Sequence, residues 1–123
     1  MVRVLTADDQ PRFLAVAREL VGAAAGFELI GEASTGEEAV ALATELRPDL
    51  VLMDVNMPGI GGVEAARRIT AARLATLTVL VSAARPEDLP RAPVTCGAVV
   101  RKEALSPHAL SELWSQRAPA GQL

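Results

Sequence analysis

A chain of 123 residues with net charge −3 and a pI near 5.1 fits one domain and lacks the basic footprint of a nucleic-acid binder. Half of it is apolar, yet it holds two Phe, one Trp and no Tyr, so its core must be assembled from Val, Leu, Ile and Ala, a composition that suits buried parallel strands under Ala-rich helices. The single Cys96 cannot form an internal disulfide, no stretch approaches the roughly 20 apolar residues of a membrane span, and Met1–Leu5 is too short an apolar run for a signal peptide, which together imply a protein of the reducing cytoplasm that engages no membrane.

Val2–Ala7 is a β-rich run that ends at Asp8-Asp9. From Pro11 to Ala25 the pattern predicts a helix, with Phe13, Ala17, Leu20 and Ala24 on one face and Gly26 as its stop. Phe27–Ala33 reads as a second strand. Ser34 or Thr35 can cap the next helix, with a Glu three residues on in either register, and Ala39, Val40, Ala43 and Leu46 form its inner face up to Pro48. Asp49–Asp54 is a third strand whose run Leu50-Val51-Leu52-Met53 does not alternate, as expected of a strand buried on both faces.

Gly59, Gly61 and Gly62 lie in a turn-rich loop; no Gly-Lys-Ser/Thr follows, so they read as backbone turns rather than a nucleotide cradle. Val63–Ala72 predicts a third helix with Val63, Ala66 and Ile69 inward. Thr76–Ser82 and Ala98–Arg101 predict strands four and five. Between them, Pro86, Pro90 and Pro93 crowd a nine-residue segment, so the fourth helix is expected to be short or irregular. Pro107–Arg117 predicts a last helix with Leu110, Leu113 and Trp114 on one side, and residues 118–123 read as a flexible tail or the start of a linker. The strand–helix alternation predicts a doubly wound α/β domain over residues 1–117 with a five-stranded parallel sheet.

Open parallel sheets form their sites at the carboxyl ends of the strands. Strand one ends at Asp8 and Asp9, strand three at Asp54, strand four at Ser82 and strand five at Lys102. With strands in the order 2-1-3-4-5, three carboxylates, a hydroxyl and an ammonium would share one edge. Carboxylates about 5 Å apart at an effective dielectric near 20 repel by roughly 3 kcal/mol per pair, which a raised pKa or a bound cation relieves. Mg²⁺ is the natural cation, because it takes oxygen ligands and keeps waters that an incoming phosphate can replace. Metal and ammonium together suit phosphoryl transfer to a carboxylate.

The set Asp8-Asp9, Asp54 within Leu-Val-Leu-Met-Asp-Val-Asn-Met-Pro-Gly, Ser82-Ala83 and Lys102 resembles the receiver domain of two-component response regulators, most closely those attached to helix-turn-helix outputs. The resemblance covers about residues 2–117. It implies the flavodoxin-like order 2-1-3-4-5, Asp54 as phosphoacceptor, Asp9 as a direct Mg²⁺ ligand and Asp8 as one acting through metal-bound water. It also implies the Asn56 backbone carbonyl as a further ligand, and Ser82 and Lys102 as contacts of the phosphoryl group. The implied donor is a sensor histidine kinase or a small acyl phosphate. Such a domain catalyses only its own phosphorylation and dephosphorylation. Its further partners would be a second copy, through the face of the fourth helix, strand five and fifth helix, and a C-terminal DNA-binding domain in a longer parent chain; these residues themselves would not bind nucleic acid.

The sequence departs from the family in three places. Val99 stands where receivers usually carry a switching Tyr or Phe, Glu103 follows the lysine where a proline is common, and the proline-rich segment disrupts the usual signalling surface. Any response to phosphate is therefore expected in the loop from Ala83 to Gly97. Simpler roles stand beside these: Asp8 or Asp9 as a helix cap, Arg101 in place of Lys102 if strand five slips by one, Cys96 as a packed small residue and His108 as an exposed one. Two other functions compete. One is a small Mg²⁺-dependent phosphatase of the haloacid dehalogenase type, which would need an acid where Asn56 stands. The other is a receiver-like adaptor that never takes phosphate.

Overall fold

The computed structural model describes residues 1–73, 75–84 and 97–117. Five strands, β1 (Val2–Ala7), β2 (Phe27–Ala33), β3 (Leu50–Asp54), β4 (Leu77–Ser82) and β5 (Ala98–Arg101), form one parallel sheet in the order β2-β1-β3-β4-β5. Among the described residues the helices are α1 (Pro11–Ala23), α2 (Gly36–Leu46), α3 (Gly61–Ala72) and α4 (Pro107–Ser115), with a 3-10 turn over Lys102–Ala104. The proline-rich segment with its expected short helix, most of the loop expected to respond to phosphate, Cys96 and the tail 118–123 lie outside the described residues.

The continuous apolar runs are explained by burial on both faces. Alternate side chains of one strand enter opposite layers. Leu50 and Leu52 join Val4, Val79, Val81, Leu20, Val21 and Leu110 on the side covered by α1 and α4. Val51 and Met53 join Leu5, Leu80, Ala39, Ala43, Ala65, Ala66 and Ile69 under α2 and α3. Helices lined by Ala come close to the sheet, which compensates for the shortage of aromatic bulk. Trp114 packs half-buried against the layer formed by α1 and α4, on the same side as Leu110 and Leu113.

Local signals fix the ends. Pro11 occupies the first turn of α1, which stops at Ala23, two residues before the expected end, ahead of Gly26 at φ +86°. Of the two possible caps of α2, Thr35 is the one used: its hydroxyl accepts from the Glu38 N–H at 3.1 Å, and Glu38 Oε1 reaches back to the Ser34 N–H at 2.6 Å. α4 ends at Ser115 rather than Arg117.

One inward assignment is corrected. Val63 is 42 % exposed; Ala66 and Ile69 do face the core, joined by Gly62 and Ala65. Steps of three residues lag a helix turn by about 60° each, so a residue six positions before Ile69 sits roughly 120° away from it.

Candidate functional site at the carboxyl edge of the sheet

The register brings the strand ends together. Ala7 pairs with Met53, so Asp8 leaves β1 beside Asp54 at the end of β3. Asp54 pairs with Val81, one residue before Ser82, and Ser82 pairs with Arg101, one residue before Lys102. The loop after β3 is anchored at once: the Val55 N–H donates to the Val81 carbonyl at 2.9 Å, and the Gly62 N–H to the Val55 carbonyl at 3.1 Å. A Cβ at Gly62 would collide with the Asp54 carbonyl oxygen, so glycine lets α3 start directly against the acceptor strand.

Asp8, Asp9 and Asp54 each bring a carboxylate oxygen within 4.8 Å of the others. Their surroundings differ. Asp8 is fully buried, Asp54 is 6 % exposed and Asp9 opens to solvent. Neither acid caps α1, whose N-cap is Gln10 with no side-chain bond; Asp8 Oδ1 instead accepts from the Gln10 N–H at 2.8 Å, a local turn just before the helix. Lys102 Nζ lies 2.6 Å from Asp8 Oδ2 and 3.8 Å from Asp54 Oδ1. The closer contact is a short, buried ion pair that makes the Lys102 ammonium the partner of Asp8 Oδ2.

Burial pushes the Asp54 carboxyl up to about 6, and Asp8 and, more weakly, Asp9 push the same way. The Lys102 ammonium and the Asn56 backbone N–H oppose them. This is the crowding expected from three strand-end acids. Ser82 is buried, and its hydroxyl accepts from the Ala84 N–H at 3.0 Å, which leaves its own proton to donate elsewhere.

Three carboxylate oxygens within one ion's reach, two of the acids buried and Asp9 open to solvent, fit a hard divalent cation that keeps water ligands. Asn56 lies in the exposed bend two residues past the acceptor strand, where its backbone N–H already serves Asp54.

The structure thus gathers Asp8, Asp9, Asp54 and Lys102 into contact range and places Ser82 and Asn56 on the same edge. Arg101 does not replace Lys102: it turns away to pair with Glu103. His108 is exposed on the first turn of α4, 3.6 Å from Glu112, away from the cluster. Sequence reading missed two participants. The Gln10 side-chain oxygen lies 3.3 Å from Lys102 Nζ, and the Phe13 ring lies under the same ammonium, 4.6 Å to its centroid. Their position directly after the acidic pair, at the start of the first helix, was the available signal. Glu37, whose Oε1 accepts from the Ile60 N–H at 3.3 Å and braces the far end of the acceptor loop, gave none.

Comparison with known proteins agrees with this geometry. A family model described as the response regulator receiver domain matches residues 4–103. Response regulator GacA of Pseudomonas aeruginosa is 36 % identical over 98 residues, covering 80 % of this chain and 46 % of that protein. The nitrate/nitrite response regulator NarL of Escherichia coli is 31 % identical, with 94 % of this chain and 64 % of NarL covered. The chain therefore spans about half to two thirds of the length of these relatives. Among solved structures, a DNA-binding response regulator of the LuxR family from Staphylococcus aureus superposes with a TM-score of 0.81 at 27 % identity, covering 94 % of this chain and 98 % of that one.

Proposed function

The chain belongs to the response regulator receiver domain family, whose general function is phosphorylation on an aspartate in two-component signalling, and from that membership we propose that Asp54 is the acceptor. The observation that carries the proposal is the meeting of Asp8, Asp9 and Asp54 within 4.8 Å, with Lys102 pairing to two of them. Asp8, Asp9, Asp54 and the Asn56 carbonyl would hold Mg²⁺. When bound, Mg²⁺ supplies charge neutralisation, both among the carboxylates and on the transferred phosphoryl oxygens.

The chain's own residues do the rest. With its carboxyl at about 6, Asp54 is largely ionised at pH 7 and can attack phosphorus. The new bond joins Asp54 Oδ to phosphorus as the donor's P–N or P–O bond breaks, and the leaving imidazole or carboxylate keeps the electron pair. Lys102, 3.8 Å from Asp54 Oδ1, is within reach of a phosphoryl oxygen added there, and the Ser82 hydroxyl has a proton to offer another.

The receiver unit is proposed to run over residues 1–117, acting in the cytoplasm as a switch rather than a turnover enzyme. Its donor would be a sensor histidine kinase. Its parent chain would carry a DNA-binding output like that of the S. aureus protein, and two copies would pair through the face of the expected fourth helix, β5 and α4, the fifth helix of the sequence reading. No described helix is long and apolar enough to cross a membrane.

Treatment with a small acyl phosphate and Mg²⁺ should add one hydroxylamine-labile phosphoryl group, read by intact mass, and Asp54→Asn should lose it. Persistence of the same adduct on Asp54→Asn would remove Asp54 from the role. Steady phosphate release from a monoester would indicate a phosphatase instead, and neither adduct nor release an adaptor. Mg²⁺ should also raise the melting temperature, because it binds the folded site alone, and Asp9→Asn should abolish most of that rise. An unchanged rise in Asp9→Asn would defeat the ligand assignment.

A further inference from the structure

Lys102 is held from three directions, and two of its partners belong to neither the acidic cluster nor the phosphoryl contacts. Gln10 Oε1 lies 3.3 Å from Nζ, and the Phe13 ring sits 4.6 Å beneath it. Both come from the start of α1, on the Asp8 side of the cleft. The ammonium accordingly lies 2.6 Å from Asp8 Oδ2 but 3.8 Å from Asp54 Oδ1. A lysine stem has four rotatable carbons and no preferred fork, so its head goes where its contacts are best. An amide oxygen and an aromatic face both favour the cation, and neither offers anything to a metal-bound carboxylate.

We propose that Gln10 and Phe13 are positioning residues that hold the Lys102 ammonium against Asp8, so that lysine and divalent metal compete for the same carboxylate and the pair sets how tightly the site takes Mg²⁺. The inference rests on the reading of Asp8 and Asp9 as metal ligands. Its chemistry is an exchange of counter-ions: the buried Asp8 Oδ2 is held by the Lys102 ammonium at 2.6 Å, its cationic neighbour among the described residues. A metal drawing on that oxygen must share it with the ammonium or send the ammonium toward Asp54. Gln10 and Phe13 decide how readily the ammonium moves.

The sign of this effect separates positioning from structural support. A variant that merely loosens the fold should bind Mg²⁺ more weakly. Releasing the ammonium should make binding tighter, by about three- to tenfold for the double variant Gln10→Ala/Phe13→Leu, given the modest strength of each contact. Phe13→Trp keeps an aromatic face and should restore wild-type affinity to Gln10-intact protein.

The test is Mg²⁺ titration by calorimetry on the full chain, with the Lys102 ε-methylene proton shifts followed by NMR. Wild-type protein should show an upfield ring-current shift of those protons that Phe13→Leu removes, which reports the contact even where a variant is destabilised. Tighter Mg²⁺ binding in Gln10→Ala and Phe13→Leu, together with loss of the ring-current shift, supports the proposal. Unchanged or weaker binding in both variants overturns it, as does a Lys102 shift indifferent to Phe13. A wild-type protein that binds no Mg²⁺ at all overturns the metal reading beneath it.

Discussion

β3 and β5 deliver functional groups to the same edge by opposite means. All five residues of β3 are buried in the middle of the sheet, whereas none of the four residues of β5, beside β4 at the far end of the strand order, is fully buried. Asp54 inherits its place from packed backbone, locked by the Val55–Val81 hydrogen bond and the close start of α3 at Gly62. Lys102 starts from a thinly covered strand and reaches the cleft through its side chain, guided by Gln10, Phe13 and Asp8. The difference suits the chemistry: a nucleophile must be placed within tenths of an ångström, while a cation can follow charge as it moves.

The largest expected contrast is in stability. Leu52, 1 % exposed at the centre of β3, should cost about 2–5 kcal/mol as Leu52→Ala, because it leaves a cavity between two packed layers. Val100, half-buried in β5, should cost only about 1 kcal/mol as Val100→Ala. Urea denaturation measures both, and equal losses would show that the two strands are not held differently.

A second contrast concerns charge. The Asp54 carboxyl is raised from 3.8 to about 6 by burial first and Asp8 second. The folded protein therefore holds a proton between roughly pH 4 and 6 that the unfolded chain has released. Stability contributed by this proton is full below pH 4 and disappears as pH rises through 6. The expected fall is about 2 kcal/mol by pH 7 in the presence of a chelator, and Asp54→Asn should flatten it. Glu64, held down to about 2 first by Arg67 and then by Arg68 on the exposed face of α3, contributes with the opposite sign between its unfolded value of 4.5 and about 2, so it meets this window only at its acid end. A chelated wild-type protein as stable at pH 7 as at pH 4.5 would contradict a strained acceptor.

Much of this was legible in the sequence because it depends on strand ends. Runs without alternation gave buried strands, and acids placed after such runs gave the cluster of Asp8, Asp9 and Asp54. Family resemblance added the strand order and the individual roles. What escaped were contacts between elements distant in sequence. Gln10 and Lys102 are 92 residues apart, Glu37 and Ile60 are 23 apart, and no local pattern states that they meet. Val63 was misplaced because a three-residue spacing looks helical but drifts off the face over two steps.

The smallest expected effect lies in helix starts, and it extends the comparison to the helices beside each strand. α2, packed over the β3 layer, begins with a doubled arrangement in which Thr35 accepts from Glu38 and Glu38 returns to Ser34. α4 follows β5 and has one such bond, the Ser106 hydroxyl accepting from the Ala109 N–H at 3.0 Å. It spans nine residues and buries one of them fully, Leu110. Helices that short owe their stability to packing and caps, not to propagation. Ser106→Ala should therefore cost about 1 kcal/mol, and Ser106→Asp should recover most of it. The loss should be small and felt by both regions: amide exchange in α4 should quicken by about fivefold, and so should exchange in β3, which opens only on global unfolding, while in the wild-type protein α4 exchanges faster than β3. Equal protection of β3 and α4 in the wild-type protein would mean that the two regions unfold as one unit, and the contrast between a fixed acceptor strand and a loosely held lysine strand would then belong to the side chains alone.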